Sequence, residues 1–328
     1  MQSALNSGVV LRVALGLCAV MVAAPGMAQN YPDKPIRAVV PFAPGGANDV
    51  MARVVSPYLS KQLGQPMIIE NRPGANGHIG IEAVAKSRPD GYTILYSATA
   101  STVLPAITRN MRYDPIKDIQ PVAEIGQGPY AVYVNPKVPA TNLRELVEYA
   151  RKNPGKLNAG AGGLSGTRLS VELLRIQNNL QLEIISYNGN GPTATAVVGG
   201  VVDFAIMDVS AFAGHLQSGR VKALAVAGEK RLPALPDVPT TAEAGFPDLK
   251  AGAIFGIYVA AGTPNDIVQK LNTTVNGVIV LPEVTEQLRK LGAEPNPKTV
   301  TQFTQLIHKE IQLWREVVTK AKLPTEEY

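Results

Sequence analysis

Several stretches place glycines and hydroxyls where an apolar run gives way to a helical pattern, and they are the residues best suited to chemistry. Pro41-Phe-Ala-Pro-Gly-Gly-Ala-Asn-Asp49 is the first. Adjacent glycines let the backbone approach a ligand closely, and a helix start offers unpaired N–H groups and a positive dipole end that favour an anion. The alternative is purely local: Asn48 or Asp49 caps the helix and the glycines serve the turn. Arg72-Pro-Gly-Ala-Asn-Gly77-His-Ile-Gly80 repeats the arrangement; Arg72 can clamp a carboxylate or brace the loop, and His78 can touch a ligand or lie on the surface. Ser97-Ala-Thr-Ala-Ser101-Thr supplies a run of hydroxyls. Gly160-Ala-Gly-Gly-Leu-Ser-Gly-Thr167 and Tyr187-Asn-Gly-Asn-Gly-Pro-Thr193 are two further glycine loops opening helices. Four such loops converging on one cleft would form a carboxylate site built from backbone and hydroxyl groups.

The elements that must position these loops alternate. Ile36–Phe42, Met67–Glu70 and Thr93–Tyr96 read as short strands, and helices follow through Val50, Val54, Tyr58 and Leu59, then Ile81, Val84 and Ala85. Strand, glycine loop, helix, strand is the pattern of a parallel sheet with crossover helices. The pattern restarts at Ala131–Val134, followed by an amphipathic helix capped at Thr141. Further strands are expected at Leu157–Ala161, Leu182–Tyr187, Val202–Met207 and Val221–Ala227, with helices starting near Thr167, Thr193 and Ala211. Three prolines between Arg231 and Pro239 mark an extended connection. Ile254–Ala260 is one more strand, and the last helix carries a stripe of Val300, Phe303, Ile307, Ile311, Trp314 and Val318. The tail has too few strands for a domain of its own, so it should pack back on the first half. The expected organisation is two α/β lobes, residues 29–128 with 253–328 and residues 129–252, joined by more than one crossing strand around a hinged cleft.

Composition narrows the function. The 328 residues are 45% hydrophobic and 17% charged, which argues against a disordered chain. The net charge of +5 has no basic run to serve nucleic acid. One cysteine, Cys18, and three histidines without metal-ligand spacing exclude structural zinc, iron–sulfur and disulfide frameworks. The Gly160-x-Gly162-x-x-x-Gly166 stretch imitates a dinucleotide loop, but the next strand ends in Tyr187-Asn188 instead of the acidic residue a ribose requires. A serine hydrolase using Ser101 or Ser165 would need an adjacent base, and no partner is evident. No cofactor, metal or catalytic residue is therefore expected.

Residues 1–28 read as an export signal: Arg12, the apolar run Val13–Ala24, a break at Pro25, and small residues Gly26 and Ala28 flanking Met27. Lipid attachment at Cys18 is disfavoured because Leu17 precedes it. Cleavage after Ala28 removes one charge, so the mature chain is expected to carry +4, to lack cysteine and to be periplasmic.

Longer motifs point to a family. Phe42-Ala-Pro-Gly-Gly-x-x-Asp49-x-x-Ala-Arg53, Glu70-Asn-Arg-Pro-Gly-Ala-x-Gly77 and Ala85-Lys-Ser-Arg-Pro-Asp-Gly-Tyr-Thr93 occur in order, with Tyr113-Asp-Pro115 and Pro154-Gly-Lys-Leu157. Leu235-Pro-Asp-Val-Pro-Thr240-x-Ala-Glu-Ala-Gly245 and Ala261-Gly-Thr-Pro264 follow. Together they resemble the Bug family of periplasmic solute receptors of tripartite tricarboxylate transporters, over essentially the whole mature chain. The resemblance implies a periplasmic-binding-protein-like (type II) Venus flytrap, each lobe a mostly parallel sheet with helices on both faces. It implies a monomer closing on a small mono- or dicarboxylate and serving membrane permease subunits, or alternatively a sensor kinase. The implied ligand residues are Pro44, Gly45, Gly46, Ala47, Asn48 and Asp49; Ala75 and Gly77; Ser97, Thr99 and Ser101; Ser165, Gly166 and Thr167; Tyr187, Gly189 and Thr193; and Asp208. Asp49 or Asp208 could meet the amine of an amino acid. Arg168, Asn188 and Ile254 depart from the family pattern near the expected cleft, which leaves open aliphatic, aromatic and amino acids as ligands.

Overall fold

A computed structural model of the chain describes residues 31–328 apart from Ala43, Gly45, Gly46, Gly163, Leu164, Asn188 and Gly189. The expected signal segment and the expected ligand residues Gly45, Gly46 and Gly189 lie outside the described residues. The first stretch alternates as β1 (Ile36–Val40), α1 (Ala47–Leu63), β2 (Met67–Asn71), α2 (His78–Ala85), β3 (Thr93–Ser97) and α3 (Ala100–Ile107). β1 pairs in parallel with β2 on one side and β3 on the other. Its near-continuous apolar sequence suits a strand buried on both faces.

After the short β4 (Thr108–Arg109) comes β5 (Ile119–Val134), sixteen residues long. The second stretch runs α4 (Leu143–Lys152), β6 (Asn158–Ala161), α5 (Gly166–Gln177), β7 (Glu183–Ser186), α6 (Asn190–Val198), β8 (Phe204–Asp208), α7 (Ala213–Gln217) and β9 (Lys222–Val226). β6 lies parallel to both β7 and β8. The chain then returns through β10 (Gly252–Ala260), α8 (Asn265–Ile279), α9 (Pro282–Lys290), α10 (Val300–Ala321) and β11 (Glu326–Glu327). Helices α8 and α9 pack on α1, and α10 packs on α3 and β5. α10 also reaches α5.

β5 belongs to two sheets. Residues Ile119–Pro129 pair antiparallel with β10, which itself pairs with β3. From Tyr130 onward the same strand pairs antiparallel with β8 on one side, and from Ala131 with β9 on the other. At the changeover, Tyr130 N–H donates to Ala251 O, Ala251 N–H to Ala227 O, and Ala227 N–H to Tyr130 O.

The sequence reading recovered only the last four residues of this strand. Pro121, Gly126, Gly128 and Pro129 hide the rest, because proline lacks a ladder donor and glycine weakens the strand signal. The fold accommodates them with register shifts between Phe255 and Gly256 and between Ile257 and Tyr258 of β10. Helix α3 is not among the helices expected from the sequence: the second half of the hydroxyl run from Ser97 forms the first turn of a helix containing Pro105. Thr141 is not the cap of α4. Asn142 accepts from Glu145 N–H at 2.9 Å, while the Thr141 hydroxyl donates to the Glu145 carboxylate.

The expected stripe of α10 is the keel of the core. Phe303, Ile307, Ile311, Trp314 and Val318 are buried, with Val300 only partly so. The Phe303 ring lies 5.5 Å from that of Tyr258, and it fills the space a side chain at Gly256 would need. Thr299 and Gln302 fix the start of this helix with a reciprocal capping box. Replacing Phe303 by Ala should lower stability by about 3–5 kcal/mol, read from urea unfolding; a loss under about 1 kcal/mol would show that α10 is not a core element.

Glu124 sits in the β5–β10 ladder with no exposure, and Lys298 Nζ lies 3.3 Å from its carboxylate. Burial pushes this carboxyl up to about 7, against the opposing pull of Lys298. Raised above its unfolded value, it stabilises the fold fully below about pH 4.5, and that stabilisation is lost as pH rises through about 7. Glu124→Gln should therefore flatten the fall in stability between these pH values by an amount on the order of 3 kcal/mol at most. An unchanged slope would show that Glu124 is ionised throughout.

Candidate functional site

The glycine and hydroxyl loops follow the carboxyl ends of β1, β2, β3, β6 and β7, where open α/β sheets place ligands. A cavity of about 440 Å³ lies among them, a volume suited to a small metabolite. Phe42 follows β1, Asn76 sits in the turn before α2, and Thr99 and Ala100 open α3. The second sheet contributes Gly162, Ser165, Gly166 and Thr167 around the start of α5, and Asn190 at the start of α6. Val103, Leu104 and Ile107 give α3 an apolar face toward the cavity, and Tyr130 supplies part of the wall.

The two sheets meet closely here. A Cβ placed on Gly166 would stand 2.9 Å from Thr99 Cγ2 and 3.2 Å from the Tyr130 hydroxyl. Only glycine permits that approach, which is the functional use of the residue at this loop. Thr167 holds the loop in shape: its hydroxyl accepts from Gly162 N–H at 3.1 Å and lies 2.9 Å from Ser165 Oγ. The start of α5 thereby faces the start of α3 across the cavity.

The expected ligand residues divide into three groups. Thr99, Ser165, Gly166 and Thr167 line the cavity. A second group stands behind it. Asp49 is 2% exposed, with Arg53 Nε donating to it at 2.8 Å and Asn71 Nδ2 at 2.9 Å, so its carboxylate ties α1 to β2. Ala75 adopts φ 46° and Gly77 φ 103° in the turn that delivers Asn76, and a Cβ on Gly77 would press on the Phe42 ring at 3.1 Å. Asp208 is opposite Tyr130 in the β5–β8 ladder and accepts from Asn190 Nδ2 at 2.6 Å. Burial pushes its carboxyl up, against the Asn190 hydrogen bond.

The third group has other surroundings. Ser101 lines a separate small cavity with Tyr258 and His308. Ser97 is buried at the end of β3, and Thr193 is buried against Gly160. Tyr187 is half-buried beside the same glycine, Pro44 is exposed, and Asn48 is partly exposed in the first turn of α1. Ala47 begins that helix.

Two side chains left open by the sequence are structural. Arg72 Nε pairs with Glu70 at 2.8 Å and braces the loop. His78 is neither surface nor ligand group: it is buried, its ring nitrogens lie 3.0 Å from the Tyr113 and Thr108 hydroxyls, and it stacks on Tyr328 at 4.4 Å. Burial holds its pKa below the usual value. Arg168 donates to Ser186 Oγ at 2.8 Å and lies 3.7 Å from Glu172, outside the cavity lining.

Asn76, Asn190, Phe42, Tyr130, the apolar face of α3 and Glu326 were missed as lining residues. Phe42 and the two asparagines lay inside recognised loops. Tyr130 and Glu326 carried no local signal, because distant chain segments bring them there.

Among the described residues no group of three or more His, Cys, Asp and Glu side chains could hold a metal. No described helix is long and apolar enough to cross a membrane. A second cavity, of about 420 Å³, is lined by Arg231 and Arg289, but these pair with Glu243 at 2.9 Å and Glu294 at 2.6 Å.

Comparison with known proteins identifies the family. The family model described as "Tripartite tricarboxylate transporter family receptor" matches residues 51–323. Protein BugT of Bordetella pertussis is 36% identical over 307 residues, 92% of this chain and 94% of its own. Among solved structures, R. palustris Rpa4515 with adipate is 33% identical, with TM-score 0.75 over 90% of this chain and 99% of that one. MatC from Rhodopseudomonas palustris with bound malate is 34% identical, with TM-score 0.71 over 88% of this chain and all of that one. The periplasmic binding protein BugD superposes with TM-score 0.71 at 31% identity, covering 91% of this chain and all of that one. The family is one of receptors and not of enzymes, and the architecture shared with BugD is that of a periplasmic binding protein. The chain belongs to the tripartite tricarboxylate transporter receptor family, the group that includes the Bug proteins.

Proposed function

We propose that this protein captures a small organic carboxylate in the 440 Å³ cavity between α3 and α5 and presents it to the membrane subunits of a tripartite tricarboxylate-type transporter. The observation that carries this reading is the meeting of two helix starts, one from each sheet, around a cavity lined by Thr99, Ser165 and Thr167 hydroxyls. A helix start stabilises a nearby anion by about 0.3–1 kcal/mol in exposed sites and up to ~2 kcal/mol when partly buried; at α3 the Ser101 and Thr102 N–H groups already donate to Ala98 O and Thr99 O, so that start acts through its dipole. The relatives seen with adipate and malate support the ligand class. The family supports export to the periplasm and a transport partner.

In this reading residues 29–128 with 253–328 form one lobe and residues 129–252 the other. β5 crosses between them at Pro129 and Tyr130, and the chain returns at Gly252. Closure about these crossings excludes water and strengthens each hydrogen bond to the acid. The ligand residues assigned are those lining the cavity, with Asp49, Ala75, Gly77 and Asp208 holding the loops from behind.

Thermal unfolding of ligand-free mature protein against acids paired with their amides tests the reading. Acid at a hundred times its dissociation constant should add about 2.7 kcal/mol, and the amide nothing. Equal shifts with acid and amide, or none with any acid, would remove the carboxylate reading. Gly166→Val should raise the dissociation constant at least about tenfold, since the loops can no longer approach, while circular dichroism stays native. Unchanged affinity would take the α3–α5 junction out of the site.

A further inference from the structure

Beyond α10 the chain turns back across the first sheet. Lys322 ends the helix in a left-handed conformation, and residues 326–327 then pair in parallel with β4. This return is anchored at several points. Tyr328 stacks on His78, its hydroxyl donates to Glu82, and the Arg112 guanidinium stands 5.0 Å over its ring. Tyr328 N–H donates to Arg109 O at 3.3 Å. Glu326 is thereby placed at the cavity wall, where its carboxylate accepts from Asn76 Nδ2 at 3.0 Å.

Glu326 is the one charged residue among the described residues lining the cavity, and no lysine or arginine accompanies it. Two further carboxyls lie nearby: Asp208 stands directly behind Asn190, and Asp208 and Glu310 both act on Tyr130, with burial holding each above the usual carboxylate range. The nearby cations are otherwise engaged: Arg53 with Asp49, Arg72 with Glu70, and Arg168 with Ser186 and Glu172, while on the returning segment Arg109 donates to Thr325 O at 3.5 Å and Arg112 stands over the Tyr328 ring. A ligand whose first carboxylate sits at the helix starts would bring a second carboxylate toward Glu326, with no cation among the described lining residues to pair with it. An ammonium in that place would meet a carboxylate already held in position.

We infer that Glu326 is a specificity-determining residue: it selects acids that carry one carboxylate and a cationic amine, and it disfavours dicarboxylates. The inference rests on the cavity being the ligand site, and it narrows the ligand class there to amino acids. Selection of this kind comes as much from repulsion of the wrong ligand as from attraction of the right one.

Titration calorimetry with adipate, hexanoate and 6-aminohexanoate, together with the four- and five-carbon sets, tests it on refolded mature protein. In the set whose length fits, the amino acid should bind at least about tenfold tighter than the diacid, a difference of about 1.4 kcal/mol. Glu326→Gln keeps the acceptor for Asn76 and removes the charge. It should bring that ratio below about threefold, with tighter diacid and weaker amino acid, and leave hexanoate within about twofold, because the uncharged ligand end senses no lost charge. A ratio unchanged by Glu326→Gln, or a wild-type preference for the diacid, overturns the inference while binding itself stands. If Gly166→Val leaves every affinity unchanged, or no acid of any set binds, the cavity assignment fails and the inference falls with it.

Discussion

The architecture depends on one strand being hydrogen-bonded into two sheets. β5 leaves the β10 ladder at Pro129 and enters the β8 ladder at Tyr130, within a single peptide step. The exchange is held by a ring of backbone bonds among Tyr130, Ala251 and Ala227, so the second strand of the crossing is tied at the same level. Every loop of the candidate site is positioned relative to that step. Tyr130 is itself a wall of the cavity, and its hydroxyl marks how near Gly166 can come. Phe303 and the buried face of α10 fix the first sheet's side of the crossing.

The proposed site would recognise an anion with no cation among its described lining residues. In that proposal the helix starts and the hydroxyl residues Thr99, Ser165 and Thr167 take the place of lysine or arginine. Such donors carry no mobile charge to desolvate, so closing the cavity costs less than burying an unpaired ammonium. The contrast with the second cavity is instructive. Its arginines are held by Glu243 and Glu294, which leaves them as structural ion pairs at the protein surface. Of the seryl hydroxyls considered as nucleophiles, Ser165 has the Thr167 hydroxyl beside it at 2.9 Å, and Ser101 shares its small cavity with Tyr258 and His308. The arrangement suits capture and release.

Much of this was legible in the sequence because it was written locally. The β1, β2 and β3 strands, their glycine loops and the α10 stripe all appear as short-range patterns of apolar spacing and turn residues. The family motifs sit in those same loops. Long-range geometry was not legible. Prolines and glycines concealed the first three quarters of β5, and the hydroxyl run at Ser97 concealed α3 because polar residues opened an otherwise apolar helix. Of the three hydroxyls read there, helical geometry sends Thr99 into the cavity and Ser101 away from it. Nothing near residue 326 in sequence announces that Glu326 reaches Asn76, two hundred and fifty positions away.

Amide hydrogen exchange of the mature protein, with and without a bound acid, addresses the central claim most directly. The account predicts new protection at the loops of residues 44–49, 75–78, 99–102, 165–168 and 190–193 together, with the amides at the start of α3 and α5 changing most. Protection confined to residues 228–233 and 289–296, around the arginine-lined cavity, would contradict it and move the site to the other face of the crossing strands.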